Sequence, residues 1–230
     1  MGHLEETMRK LLLALLFFCT ALQADQKFDA LKQYVCQVIP TLGGWCSEEK
    51  ALNFMDLVME VRPNTCVEIG VFAGKSLYPV AATLKYLNHG IVIAIDPWDK
   101  MECIKYYDET KDQEDLKWWS SLNLNYIYYS FLDLLYKHEL ENYCKIFRYT
   151  SEKAASMIGT IDILYIDGNH SEPVSMRDVE LYLPKVRSGG YIWMNDTQWP
   201  QRAEATEFLR KNCDTVKFID DGTCILFKQR

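Results

Sequence analysis

Short apolar runs alternating with helical stretches constrain this chain more than any other feature. TCVEIG (65–70), GIVIAID (90–96), YCKIFRYT (143–150), IDILYID (161–167) and GGYIWMND (189–196) are short and rich in β-branched and aromatic residues, and read as strands. Helical stretches lie between and before them, over 27–39, 48–61, 76–87 and 203–211 and from Pro173 onward, where Val179, Tyr182, Leu183 and Val186 share a face. Ser47 is placed to cap the helix that follows it, Glu48 and Glu49 suit its first turn, and Pro63 closes that region. Strand–helix alternation predicts a doubly wound α/β domain with a mostly parallel sheet. Uninterrupted runs such as IVIAI and IDILYI predict burial on both faces. TVKFID and TCILFK, joined by Asp220-Asp221-Gly222, add a C-terminal hairpin and with it one antiparallel strand.

The 230 residues suffice for one such domain, and 49% of them are hydrophobic. A formal charge of −7 removes nucleic acid as an expected partner. The N-terminus divides from the rest. Arg9 and Lys10 precede an apolar run, 11–18, and then small and polar residues to Ala24, the order of a secretory signal peptide. That run is too short for a stable membrane span. The expected organisation is a leader over 1–24, a helical segment over 25–62, and an α/β domain over 63–230 carrying an aromatic-rich insert at 98–143. The expected location is periplasmic or secreted if the leader is a signal peptide, and cytoplasmic if 1–24 is instead a buried amphipathic helix. Eight cysteines include no C-x-x-C pair, so a structural zinc site is not expected. Cys36 and Cys46 are available to pair in an exported chain.

Ligands of open α/β sheets sit at the carboxyl ends of the strands. The polar residues there are Glu68 with Gly70 and Gly74, Asp96, Thr150 with Ser151, Asp167 with His170, and Asn195 with Asp196. Gly70-Val71-Phe72-Ala73-Gly74-Lys75-Ser76 resembles a phosphate-binding loop, but is one residue short, with Ile69 where the first glycine belongs. Glu68 would also repel a phosphate. Phe72, where a second glycine belongs, argues against a dinucleotide fingerprint. A cationic ligand reverses the sign. S-adenosylmethionine carries a sulfonium and an ammonium that a carboxylate at Glu68 favours, and Asp96 is placed to accept from its ribose hydroxyls.

VEIGVFAGKS, IAIDPW and LYIDGNHSEPVSMRDVELYLPKVRSGGYIWMND resemble the class I S-adenosylmethionine-dependent methyltransferases, in particular the small-domain group with a D-G-x-H loop after strand four. The resemblance implies a Rossmann-like sheet of seven strands whose last hairpin strand is antiparallel. It implies S-adenosylmethionine held by Glu68, Gly70, Gly74, Ser76, Asp96 and Trp98, with Thr150 and Ser151 near the adenine. The acceptor is then expected to be a hydroxyl of a small molecule. His170 is the candidate general base, beside Asp167. Asp167, Asn195 and Asp196 are hard ligands that together suit Mg²⁺. Simpler roles stand beside these: Asp167-Gly168 as a tight turn, Asn169 and Ser171 as caps, His170 as a solvated loop residue. An exported, non-catalytic binding or effector protein that keeps the fold is the competing expectation.

Overall fold

The computed structural model describes Glu6, Lys10 and residues 26–230. The expected leader over 1–24 otherwise lies outside the described residues. Residues 26–38 form helix α1. Then follow α2 (Glu48–Val61), β1 (Thr65–Ile69), α3 (Leu77–Leu87), β2 (Ile91–Ile95), α4 (Lys100–Cys103), α5 (Gln113–Ser121), α6 (Leu124–Lys137), β3 (Cys144–Phe147), α7 (Ser151–Ala155), β4 (Ile161–Ile166), α8 (Glu172–Tyr182), β5 (Val186–Met194), α9 (Ala203–Asn212), β6 (Cys213–Ile219) and β7 (Cys224–Gln229). The seven strands form one sheet in the order β3-β2-β1-β4-β5-β7-β6. The first five are parallel, and β7 runs antiparallel to both of its neighbours. This is the Rossmann-like arrangement that the alternation predicts.

Each face of the sheet is covered. Alternation along β1 sends Cys66 into the core under α2 and α3 and sends Val67 and Ile69 into the core under α7, α8 and α9. The Ser47 hydroxyl accepts from the Lys50 amide at 3.1 Å, so α2 starts where its cap predicts. The terminal hairpin turns through Asp220 and Asp221, both at positive φ (56° and 55°), the backbone a tight hairpin requires. The insert is helical. Phe131, Leu134 and Leu135 of α6 bury against the first core, while Tyr126 and Tyr129 face solvent. Cys36 and Cys46 are both free thiols. No helix among the described residues is long and apolar enough to cross a membrane.

The chain lays β2 and β3 to one side of β1, then crosses back to lay β4 and β5 on the other. The connections diverge between β1 and β4, which opens a crevice at their carboxyl ends.

Candidate active site

A cavity of about 1060 Å³ occupies that crevice. It is at or above the upper end of the size range for a site holding one small ligand.

The loop after β1 is held from beneath. Asp96, at the end of β2, accepts from the Val71 and Phe72 amides through Oδ2 (3.0 and 2.9 Å) and from the Trp98 amide through Oδ1 (2.7 Å). The Trp98 indole returns a bond to the Phe72 carbonyl at 2.8 Å. Two amides that a phosphate loop would aim at its ligand are thus turned onto a carboxylate. The resemblance to a triphosphate site ends there. Asp96 still lines the cavity, but with Oδ2 doubly occupied only Oδ1 has a lone pair to spare. It was expected to serve both ribose hydroxyls. Burial pushes its carboxyl up, and the three amides oppose that shift.

Both loop glycines sit at positive φ, for reasons other than ligand approach. A Cβ on Gly70 (φ 85°) would lie 2.2 Å from the Asp167 carbonyl oxygen. One on Gly74 (φ 82°) would lie 2.5 Å from the Phe131 ring. Gly70 therefore lets β1 and β4 close together, and Gly74 admits the insert. Gly74 and Glu68 are not among the residues that line the cavity. Strand alternation sends Glu68 with Cys66 toward the face under α2 and α3, where it is 2% exposed and accepts from the Ser76 hydroxyl at 2.6 Å. Burial raises its carboxyl well above the ordinary range, and the Ser76 bond opposes this. Glu68 thus stands behind the cavity wall, with its carboxylate on the Ser76 hydroxyl.

At the end of β3, the Thr150 hydroxyl caps α7 by accepting from the Lys153 amide at 3.3 Å. Ser151 donates its hydroxyl to Asp178 Oδ1. Burial pushes the Asp178 carboxyl up to about 6, with Ser151 and Arg202 pulling the other way. Thr150 and Ser151 line the same cavity as Asp96.

The ends of β4 and β5 carry the most polar wall. The Asn195 amide nitrogen donates to Asp167 Oδ1 at 2.7 Å and to Asp196 Oδ2 at 2.8 Å. Tyr165 donates to Asp167 Oδ2 at 2.9 Å. His170 Nε2 lies 3.3 Å from Asp196 Oδ2 and 4.0 Å from Asp167 Oδ1. Burial and the Asp167 charge raise the Asp196 carboxyl. The loop that carries His170 is tied down on both sides. Arg202, fully buried, donates to the Gly168 carbonyl at 2.9 Å, and Asn169 donates to the Glu102 and Cys103 carbonyls at 2.8 and 3.0 Å.

Asp167, His170 and Asp196 each offer one ligand atom, all within 4.8 Å of one another. Asn195, the third metal ligand expected, is turned the other way. Its oxygen accepts from Lys50 Nζ at 2.9 Å and from the Cys224 thiol at 2.6 Å. An ammonium only donates and carboxylates only accept, so this orientation satisfies all of its neighbours.

Lys50 has no place in the motifs, yet it is 5% exposed and also lies 3.5 Å from Asp220 in the terminal hairpin turn. One sign was available, since Lys50, Phe54 and Leu57 share a helical stripe and a lysine there interrupts an apolar face. Trp45 was missed as well. It is 64% exposed, with its ring 5.6 Å from Phe72 and 5.3 Å from Trp118 of the insert, so three separate segments meet at the cavity mouth.

A family described as a methyltransferase domain matches residues 67–197, more than half of the chain. The chain belongs to this methyltransferase family. Lys50 and Trp45 lie outside the matched segment. Among solved structures, the O-methyltransferase NovP is 16% identical with a TM-score of 0.67, over 80% of each chain. The Podospora anserina methyltransferase PaMTH1, solved with S-adenosylhomocysteine bound, is 10% identical with a TM-score of 0.62, over 92% of this chain and 95% of its own. At these identities the likeness is one of fold. An uncharacterized protein of Acanthamoeba polyphaga mimivirus is 32% identical over 139 residues, 58% of this chain and 52% of that protein. The chain thus spans about half the length of that curated relative.

Proposed function

We propose that this methyltransferase moves the methyl group of S-adenosylmethionine to a hydroxyl of a small molecule. The observation that carries the reading is the sharing of one cavity by Asp96, at the end of β2, and the Asp167–His170–Asp196 cluster, at the ends of β4 and β5. A cofactor seated at the first brings its reacting end toward the second. Gly70, Ser76, Asp96, Trp98, Thr150 and Ser151 all line this cavity and would border the cofactor.

The reaction is an in-line displacement. The acceptor oxygen forms a bond to the methyl carbon as the carbon–sulfur bond breaks, and the sulfonium becomes a neutral thioether. With no ion bound, the hydroxyl proton goes to the His170 imidazole, and the Asp196 carboxylate, 3.3 Å from Nε2, holds the resulting imidazolium. Lys50 and Asn195 keep both carboxylates oriented during this exchange. The exposed rings at the mouth cover the acceptor and limit water.

The donor set at the ends of β4 and β5 fits a divalent cation. Asp167, Asp196 and His170 would hold it, in place of the set with Asn195, because the Asn195 oxygen is spent on Lys50. Two carboxylates suit Mg²⁺, and the imidazole shifts the preference toward Mn²⁺ or Zn²⁺. A bound ion would lower the pKa of the acceptor hydroxyl.

The test is calorimetric titration of the full chain with S-adenosylmethionine, ATP and NAD. Release of S-adenosylhomocysteine is then followed against a panel of hydroxylated small molecules, with EDTA, Mg²⁺ or Mn²⁺ present. Micromolar binding of S-adenosylmethionine alone is expected. Its absence from a folded chain would overturn the reading.

A further inference from the structure

Four lysine and arginine side chains line the cavity: Lys50, Lys75, Lys105 and Arg177. Three are paired, Lys50 with Asp220, Lys105 with Glu102 and Arg177 with Glu152. Lys75 alone has no ion-pair or side-chain hydrogen-bond partner among the described residues. It is half-buried in the turn that opens α3. The strap before α2 runs beside it, since a Cβ on Gly44 would lie 3.7 Å from Lys75 Cβ. The next residue offers no spare proton, because the Ser76 hydroxyl donates to Glu68.

Position along the sheet says what this cation would meet. Strands lie about 4.8 Å apart, so β3 to β1 covers roughly 10 Å. With the adenine at Thr150–Ser151 beyond β3 and the ribose at Asp96 beyond β2, the amino-acid end falls beyond β1. Glu68, expected to recognise that end, is buried on the Ser76 hydroxyl and does not line the cavity. We infer that Lys75 binds the carboxylate of the cofactor's methionine moiety, so that the lysine which makes this loop look like a phosphate site recognises a carboxylate instead. The inference rests on the S-adenosylmethionine reading above.

The test compares two ligands that differ only at that end. S-adenosylhomocysteine carries the amino-acid group, and 5′-methylthioadenosine keeps the adenosyl thioether without it. Calorimetry on the full-length wild type, Lys75→Ala, Lys75→Met and Lys75→Arg should show S-adenosylhomocysteine affinity falling roughly ten- to hundred-fold in the Ala and Met variants, the range for one charged hydrogen bond. The Arg variant should keep most of it, and 5′-methylthioadenosine should bind all four proteins alike. Unchanged S-adenosylhomocysteine affinity in Lys75→Ala and Lys75→Met overturns the assignment and leaves the methyltransferase reading standing. Equal losses for both ligands also overturn it, since the loop rather than the carboxylate would then be responsible. A wild type that binds neither ligand overturns both. The Met variant keeps the side-chain bulk, which separates a packing loss in the Ala variant from loss of the charge.

Discussion

Replacing Asp96 by alanine tests whether this residue builds the loop before it binds anything. Three backbone amides, of Val71, Phe72 and Trp98, point at its two oxygens over 2.7–3.0 Å, and the side chain is 9% exposed. A hydrogen bond to a charged partner contributes about 1.5–3 kcal/mol, and stranding a buried donor costs a similar amount. Three such losses sum to roughly 5–9 kcal/mol if nothing replaces the carboxylate. The cavity is adjacent, so water will reach part of the vacated space. An expected loss of about 3–5 kcal/mol follows, a large part of the ~5–15 kcal/mol that holds a domain together. Urea denaturation of the ligand-free full chain measures it directly. With a slope of about 2–3 kcal/mol per molar, the midpoint should fall by roughly 1–2 M. Asp96→Asn keeps one acceptor oxygen and should fall between. A ligand-free Asp96→Ala protein with the wild-type midpoint would refute the clamp and leave Asp96 with a ligand role alone.

Gly70→Ala forces a Cβ to within 2.2 Å of the Asp167 carbonyl at a φ of 85°. A loss above about 3 kcal/mol is expected in thermal denaturation. Gly159→Ala, with nothing within 4 Å of the added carbon, should stay within about 0.5 kcal/mol of wild type. Asp178, with its carboxyl pushed up to about 6 from 3.8, binds its proton more tightly folded than unfolded. Its neutral form therefore favours the fold at acid pH, and that advantage is lost as pH rises from about 4 to above 6, by roughly 3 kcal/mol at 1.36 kcal/mol per pH unit. Asp178→Asn should flatten this part of the stability–pH curve, measured by urea midpoints at pH 4.5 and 7. Lys50→Met removes the donor to the Asn195 oxygen and the cation beside Asp220, and should lower stability at pH 7 by about 1–3 kcal/mol in the same assay.

Much of the fold was legible because the central strands β1, β2 and β4 are buried on both faces and their composition cannot hide it. The Ser47 cap and the Asp220-Asp221-Gly222 turn were legible for a different reason, since each supplies a side chain or backbone state that few residues offer. Asp167, His170, Asn195 and Asp196 converge because β4 and β5 are adjacent and end together. Direction was less legible. A carboxylate near a strand end reads as facing the ligand, yet Glu68, inside β1, is buried on the Ser76 hydroxyl, while Asp96, one residue past the end of β2, lines the cavity. Lys50 left one sign, its place in the apolar stripe of α2, but its partner was illegible for reasons of distance, since Asn195 lies 145 residues away. The helices of the insert show an apolar stripe in α6, through Leu124, Phe131, Leu134 and Leu135, but the stripe does not say what it packs against. Their role emerges only where Phe131 fills the space a glycine at 74 leaves open.

The place of β7 has a consequence for how the molecule comes into being. β7, the seventh strand in sequence, lies inside the sheet, between β5 and β6, and Cys224 through Phe227 are buried. β5 and β6 therefore stand with a gap between them until β7 folds back to fill it. Cys224 and the Asp220 turn arrive in the same moment, and with them the groups that face Asn195 and Lys50. Until then the sheet holds an open edge beside β5. A polypeptide cut before Cys224 would keep most of its helices and have no finished polar wall.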